Sequence, residues 1–173
     1  MKKQIIYPKL IPRIFSSALD LALLSLVTFP ILHYCSSSLM VFFYKDYFIK
    51  HNIELYNYAQ MFIATVRPEF ADYLQAGNFN KYLSYNISML ITNLTILGSY
   101  FVGFWYYKGA TLSKMIMHMK IVDAATLAKP TIWQLIRRFL GYMTFPIGIW
   151  LVLFSSQRQA LHDKIAGTVV IKT

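Results

Sequence analysis

From Ile14 to Phe43 the chain carries one formally charged residue, Asp20, in an otherwise apolar run. A helix of about 20 apolar residues spans the hydrocarbon of a bilayer. The run therefore reads as a membrane helix over about Ile14–Tyr34, with Pro30 as a point for a kink. An aspartate inside such a segment costs about 2.5–3.5 kcal/mol on insertion scales and is rarely left facing lipid. Asp20 is expected to face protein or water, with something basic beside it. Arg13 lies on the same helical face, two turns earlier and about 10 Å away. Pro12 suits the first turn, where its missing N–H costs nothing.

Composition points the same way. Hydrophobic residues make up 57% of the chain, charged residues 14%, and the mean hydropathy is +0.45, whereas a soluble domain is about 25% charged. At 173 residues the chain suffices for one bundle and not for two domains. In a soluble chain the net charge of +10 would suggest nucleic acid. Here the basic residues flank apolar segments, so they read as orientation signals and as contacts for the bilayer's anionic headgroups, with no nucleic-acid partner. Cys35 is the only cysteine, which excludes an intrachain disulfide and a thiolate metal site. His33, His51, His118 and His162 lack metal-ligand spacing. With no nucleophile–base pair in view, the chain reads as a protein without enzymatic activity, metal or cofactor.

A second uncharged stretch runs from Leu83 to Tyr107 and ends in an interfacial belt, Trp105, Tyr106 and Tyr107, followed by Lys108. Between the two helices, residues 44–82 hold Asp46, Glu54, Glu69 and Asp72, balanced by Lys45, Lys50, Arg67 and Lys81. This segment is rich in Tyr and Phe and is broken at Pro68 and Gly77. It is expected to form amphipathic helices on the membrane surface, with its aromatics at headgroup level.

After Lys108, Gly109 and Ser113-Lys114 lack the full phosphate-loop pattern. Met117–Val122 reads as a strand and Asp123–Lys129 as a turn. Thr131 and Gln134 form a capping box that opens the next helix. Pro146 and Gly148 interrupt the third apolar region. A helix from Thr131 to about Phe145 would be about 22 Å long, short of the roughly 30 Å core. It is expected to turn back as a re-entrant hairpin that carries Arg137 or Arg138 to Asp20; a single span over Phe139–Ser155 is the alternative. A short helix bearing Arg158, His162 and Asp163 then ends at Gly167. The strand Thr168–Ile171 follows and is expected to pair with Lys120–Asp123. The distribution of Lys and Arg places the N-terminus, residues 108–131 and the C-terminus in the cytoplasm, with 44–82 outside.

Several short motifs occur in a fixed order: Arg13 and Asp20; GATLSK at Gly109–Lys114; Ile121, Val122 and Asp123; Arg138; and RQALHDKIAGTVV at Arg158–Val170. Together they resemble the RDD family of small multi-pass membrane proteins, named for one arginine and two aspartates. The resemblance covers the first helix and residues from about 83 to 173. It makes 1–173 a single domain in which 44–82 is an aromatic-rich insertion. Ser113 stands where the family usually has glycine. The resemblance implies a bacterial inner-membrane protein, with cation or proton transport proposed for some members.

The expected architecture is an all-α integral membrane protein. It is a small bundle of about three to four transmembrane or re-entrant helices with a short two-stranded cytoplasmic β-pair. For transport, Asp20 is the candidate ion or proton site and Asp163 the second, with Arg13, Arg137 and Arg138 as counter-charges. A carboxylate whose pKa is raised by burial and lowered by a basic neighbour can alternate between proton and cation. So few spans give no complete pathway in one protomer, so this reading calls for a homo-oligomer. The alternative is a non-transporting scaffold, assembly factor or lipid-binding accessory protein, in which Arg–Asp pairs only lock helices together. For it, a basic face of Lys108, Lys114, Lys120, Lys129, Arg137 and Arg138 would meet anionic lipid.

Overall fold

The computed structural model describes residues 5–144 and 148–173. Its first helix, α1, runs from Leu10 to Lys50 without a break at Pro30. At 41 residues it is about 62 Å long, twice the thickness of a bilayer core. It outlasts the expected end at Tyr34 because a second buried stripe begins there. Met40, Val41, Tyr44, Tyr47 and Phe48 are all buried, at spacings that keep one helical face inward. The chain leaves the helix just beyond Lys50, where Asn52 takes a positive φ of 51°.

Two compact units share the chain: residues through Leu24 together with Leu97–Thr173, and Ser25–Ile96. In the second unit, α1 is followed by α2 (Tyr58–Thr65), α3 (Pro68–Tyr73), a wide turn over Leu74–Asn78 and α4 (Phe79–Lys108). The Asn57 side chain accepts the Gln60 N–H at 3.2 Å and starts α2. Pro68 occupies the first turn of α3. Gly77 supplies the φ of +95° that the wide turn requires. The core of this unit gathers Tyr44, Tyr47, Phe48, Met61, Ala64 and Phe70. Tyr44 and Tyr47 each meet the Phe70 ring edge-on, with centroids 5.1 Å apart. Many of the aromatics of 44–82, expected at headgroup level, pack into this core. Tyr47, Phe48 and Phe70 pack on one another, while Tyr56, Phe62, Phe79 and Tyr82 are exposed. Aromatic rings bury large areas and prefer edge contacts, so a cluster of them forms its own core.

In the first unit, the start of α1 and the end of α4 meet α5 (Leu112–Ile116), β1 (Met119–Asp123), α6 (Ile132–Gly141), α7 (Leu161–Ala166) and β2 (Thr168–Lys172). The strands pair antiparallel with Ile121 opposite Val170, as their sequences lead one to expect. The Thr131–Gln134 capping box is formed, and Gly167 ends α7 at φ +63°. Leu24, Phe101, Trp105, Met119, Ile121, Leu135 and Val170 make the core. The alternative single span over Phe139–Ser155 runs through residues outside the described ones. The α6 helix stops at Gly141, and 3-10 turns follow at Tyr142–Thr144 and Ile149–Leu153. The expected reversal at Pro146 lies outside the described residues.

Two helical stretches, Leu10–Lys50 and Pro68–Ile116, are long and apolar enough to cross a membrane, and only 28% and 6% of their most apolar windows are buried. Helices at the core of a soluble protein would bury most of that surface. Helices α6 and α7 pack closely at Gly141, where an added Cβ would lie 2.9 Å from the His162 Cβ and 3.0 Å from its Cα. The latter atom is backbone and cannot swing aside. Gly141→Ala is therefore expected to destabilise the first unit by about 1–3 kcal/mol, measured by thermal unfolding in detergent.

Candidate functional site

Arg13, Ser16, Asp20 and Leu24 are buried along one stripe of α1, at the three- and four-residue spacing of a single helix face. Two of these positions carry charge, and each charge is met by chain from elsewhere in the first unit.

Asp20 is met by the segment that follows α4. Gly109 turns the chain at φ +75°, and Thr111 is extended before α5 begins. The opening N–H groups of a helix have no partner within the helix, and here one of them is used. Asp20 accepts the Ser113 N–H at 3.2 Å, the Thr111 hydroxyl at 2.5 Å and the Lys114 ammonium at 3.1 Å. Ser113 donates its hydroxyl to the Ser16 carbonyl at 2.5 Å and ties α5 to α1.

Asp163 is met from three sides. In the first turn of α7 it accepts the Ala160 N–H at 2.9 Å. It forms buried ion pairs with Arg13 and Arg138. Arg13 also donates to the Arg158 carbonyl at 2.5 Å, and Arg138 to the Thr168 hydroxyl at 2.7 Å. The Arg138 guanidinium lies 5.3 Å from the centre of the Trp105 ring, a cation–π contact that suits a desolvated arginine. Burial alone would raise the Asp163 pKa, but Arg138 and Arg13 outweigh it and hold the carboxyl well below its usual range.

His162 is stacked on Tyr142, with centroids 4.5 Å apart. Burial pushes it down to about 3, against the pull of Asp163 and with the push of Arg138, Arg13 and Lys114. It is therefore neutral in the fold at neutral pH. A histidine with a depressed folded pKa takes up its proton only on unfolding, so stability falls as pH drops below the ordinary value of 6.5. The expected slope between that value and about 4 is at most about 1.4 kcal/mol per pH unit. His162→Gln should flatten this slope in unfolding curves recorded across that range. Asp163, with its depressed pKa, adds a further loss only below the ordinary carboxylate range.

Three buried cations, Arg13, Lys114 and Arg138, thus face two buried carboxylates, Asp20 and Asp163. The expected delivery of Arg137 or Arg138 to Asp20 does not occur. Arg138 goes to Asp163, Arg137 is exposed, and Lys114 takes the place beside Asp20. The basic face is smaller than expected for the same reason. Lys114 and Arg138 are buried, leaving Lys108, Lys120, Lys129 and Arg137 exposed. Asp123 lies apart from the cluster in its own turn. The Gln134 amide and the Thr126 and Ala125 N–H groups bind it and pull it down to about 2. The role of Lys114 was missed in the sequence, although Thr111 and Lys114 sit three residues apart after a turn-forming glycine. No group of His, Cys, Asp and Glu among the described residues is placed to hold a metal ion.

The family model described as "RDD family" matches residues 7–167. The protein named "Uncharacterized protein RP437" from Rickettsia prowazekii (strain Madrid E) is 57% identical over 173 residues, which is 100% of both chains. No solved structure matches.

Proposed function

The chain belongs to the RDD family, and from that premise we propose that it is a multi-pass inner-membrane protein that moves no solute and serves as a scaffold or lipid-binding accessory. The observation that carries this reading is the state of the two carboxylates. Each already has a cation and further hydrogen-bond donors within reach, and the cluster already holds more cations than anions. A metal cation entering would add to that excess, and a proton would have to displace an ion pair that burial strengthens. Charges arranged in this way lock helices together. Two observations support a cytoplasmic side for the lock. β1 pairs with β2, and the Lys172 N–H donates to the Ile6 carbonyl at 2.9 Å, so both chain ends share a side with the basic loop. The positive-inside tendency favours the cytoplasm for that side and the outside for 44–82.

A second reading, cation or proton exchange at Asp20 within a homo-oligomer, is favoured by one feature. The partner of Asp20 is a lysine, a compact point charge that leaves a carboxylate more readily than a forked guanidinium does. Protein reconstituted into vesicles under a sodium, potassium or proton gradient separates the two. The expected result is no flux above that of empty vesicles. Flux present in the wild type and lost in Asp20→Asn would overturn the first reading.

A further inference from the structure

A cleft of about 620 Å³ opens between the start of α1 and the stretch from Val152 to Arg158. That volume lies within the range of small-ligand sites. Two cations, Lys9 and Arg158, and two hydroxyls, Ser155 and Ser156, line it, and no acidic residue does among the described residues. Its floor is apolar: Leu10 packs there on Ile149, Val152 and Ala160. Arg158 adopts a left-handed backbone at φ +50°. A non-glycine residue keeps that conformation only where its surroundings impose it. Here the imposed bond is visible, since Arg13 holds the Arg158 carbonyl at 2.5 Å. The charge cluster thus fixes the backbone from one side while the Arg158 side chain lines the cleft on the other.

The rim separates a soluble anion from an amphiphile. Ile11 is 78% exposed, Leu153 59% and Phe154 83%, so bare apolar surface adjoins the two cations. A free anion has no use for that surface. Lys9 directly precedes the first membrane-length helix, which sets the cleft at headgroup level once that helix is inserted.

We propose that this cleft binds one anionic phospholipid. Lys9 and Arg158 neutralise its phosphate, Ser155 and Ser156 donate hydrogen bonds to it, and the acyl chains lie over Ile11 and Leu153. The proposal rests on the lipid-binding reading above and assigns that binding to this cleft rather than to the exposed basic face.

The test uses the full chain purified in neutral detergent, with thermal unfolding followed by tryptophan emission. Dioctanoyl phosphatidylglycerol is titrated beside dioctanoyl phosphatidylcholine and inorganic phosphate. Saturable stabilisation by phosphatidylglycerol alone is expected. Lys9→Gln/Arg158→Gln should weaken its apparent affinity at least tenfold, and Ser156→Trp, which fills the cleft and leaves both cations in place, should do the same. Equal stabilisation by inorganic phosphate would overturn the proposal in favour of a soluble-anion site. If both cleft variants bind normally while Lys108→Gln/Arg137→Gln does not, the cleft is wrong and the general lipid-binding reading survives. No preference for phosphatidylglycerol over phosphatidylcholine in the wild type would sink both.

Discussion

Asp163→Asn is expected to cost the first unit about 3–5 kcal/mol of stability, the range for breaking a buried ion pair by removing one partner. Asparagine fits the same space and can still accept the Ala160 N–H. It carries no charge, however, so the guanidiniums of Arg13 and Arg138 are left facing each other without an anion, at 3% and 0% exposure. Desolvating a cation without a counter-charge is the dominant cost, and the surviving hydrogen bonds do not offset it. Trp105, Trp133 and Trp150 all belong to this unit, so tryptophan emission during denaturant unfolding in detergent reads the change directly. A loss below about 1 kcal/mol would mean that the two arginines reach water, and that the cluster is not the lock described above.

The second large effect has two parts of opposite sign. Asp20→Leu should favour membrane insertion, because it removes the most costly residue of the first apolar run. The same change strands Lys114 in the protein interior and should lower the stability of the folded state by about 3–5 kcal/mol. Adding Lys114→Met should recover most of that loss. Two apolar side chains then replace two charges, and a buried pair exchanged for packed apolar residues is often neutral or stabilising. A double-mutant cycle measures the coupling between the two sites. If Lys114→Met makes Asp20→Leu worse rather than better, the pairing of these residues is not what stabilises α1 against α5.

Local rules made much of the fold legible. The capping box at Thr131, the left-handed end at Gly167 and the pairing of two β-branched strands each follow from a few adjacent residues, and each is present. The need of Asp20 for a basic neighbour was legible too, because the cost of a bare carboxylate does not depend on the fold. The identity of that neighbour was not. Spacing shows that Arg13 and Asp20 share a face, but at two turns apart they cannot pair with each other. Asp20 takes a lysine 94 positions away and Arg13 an aspartate 150 positions away. Nothing in a helical period encodes which distant segment arrives. The length of α1 was hidden for a related reason. Hydropathy marks where a bilayer-length run ends, whereas the helix ends where its second buried stripe, Met40–Phe48, ends.

The sequence separation within the cluster also imposes an order of events during synthesis. Arg13 and Asp20 leave the ribosome well before Lys114 and Asp163, and neither has its partner then. Lys114 comes first and can settle Asp20. Arg13 waits for Asp163, and at about 5–20 residues per second the stretch from Lys114 to Asp163 alone takes about 2–10 s. Throughout it, Arg13 and then Arg138 stay charged and unmatched. A nascent chain halted before Asp163 would keep both in that state and would present them to the proteases that clear unfinished proteins.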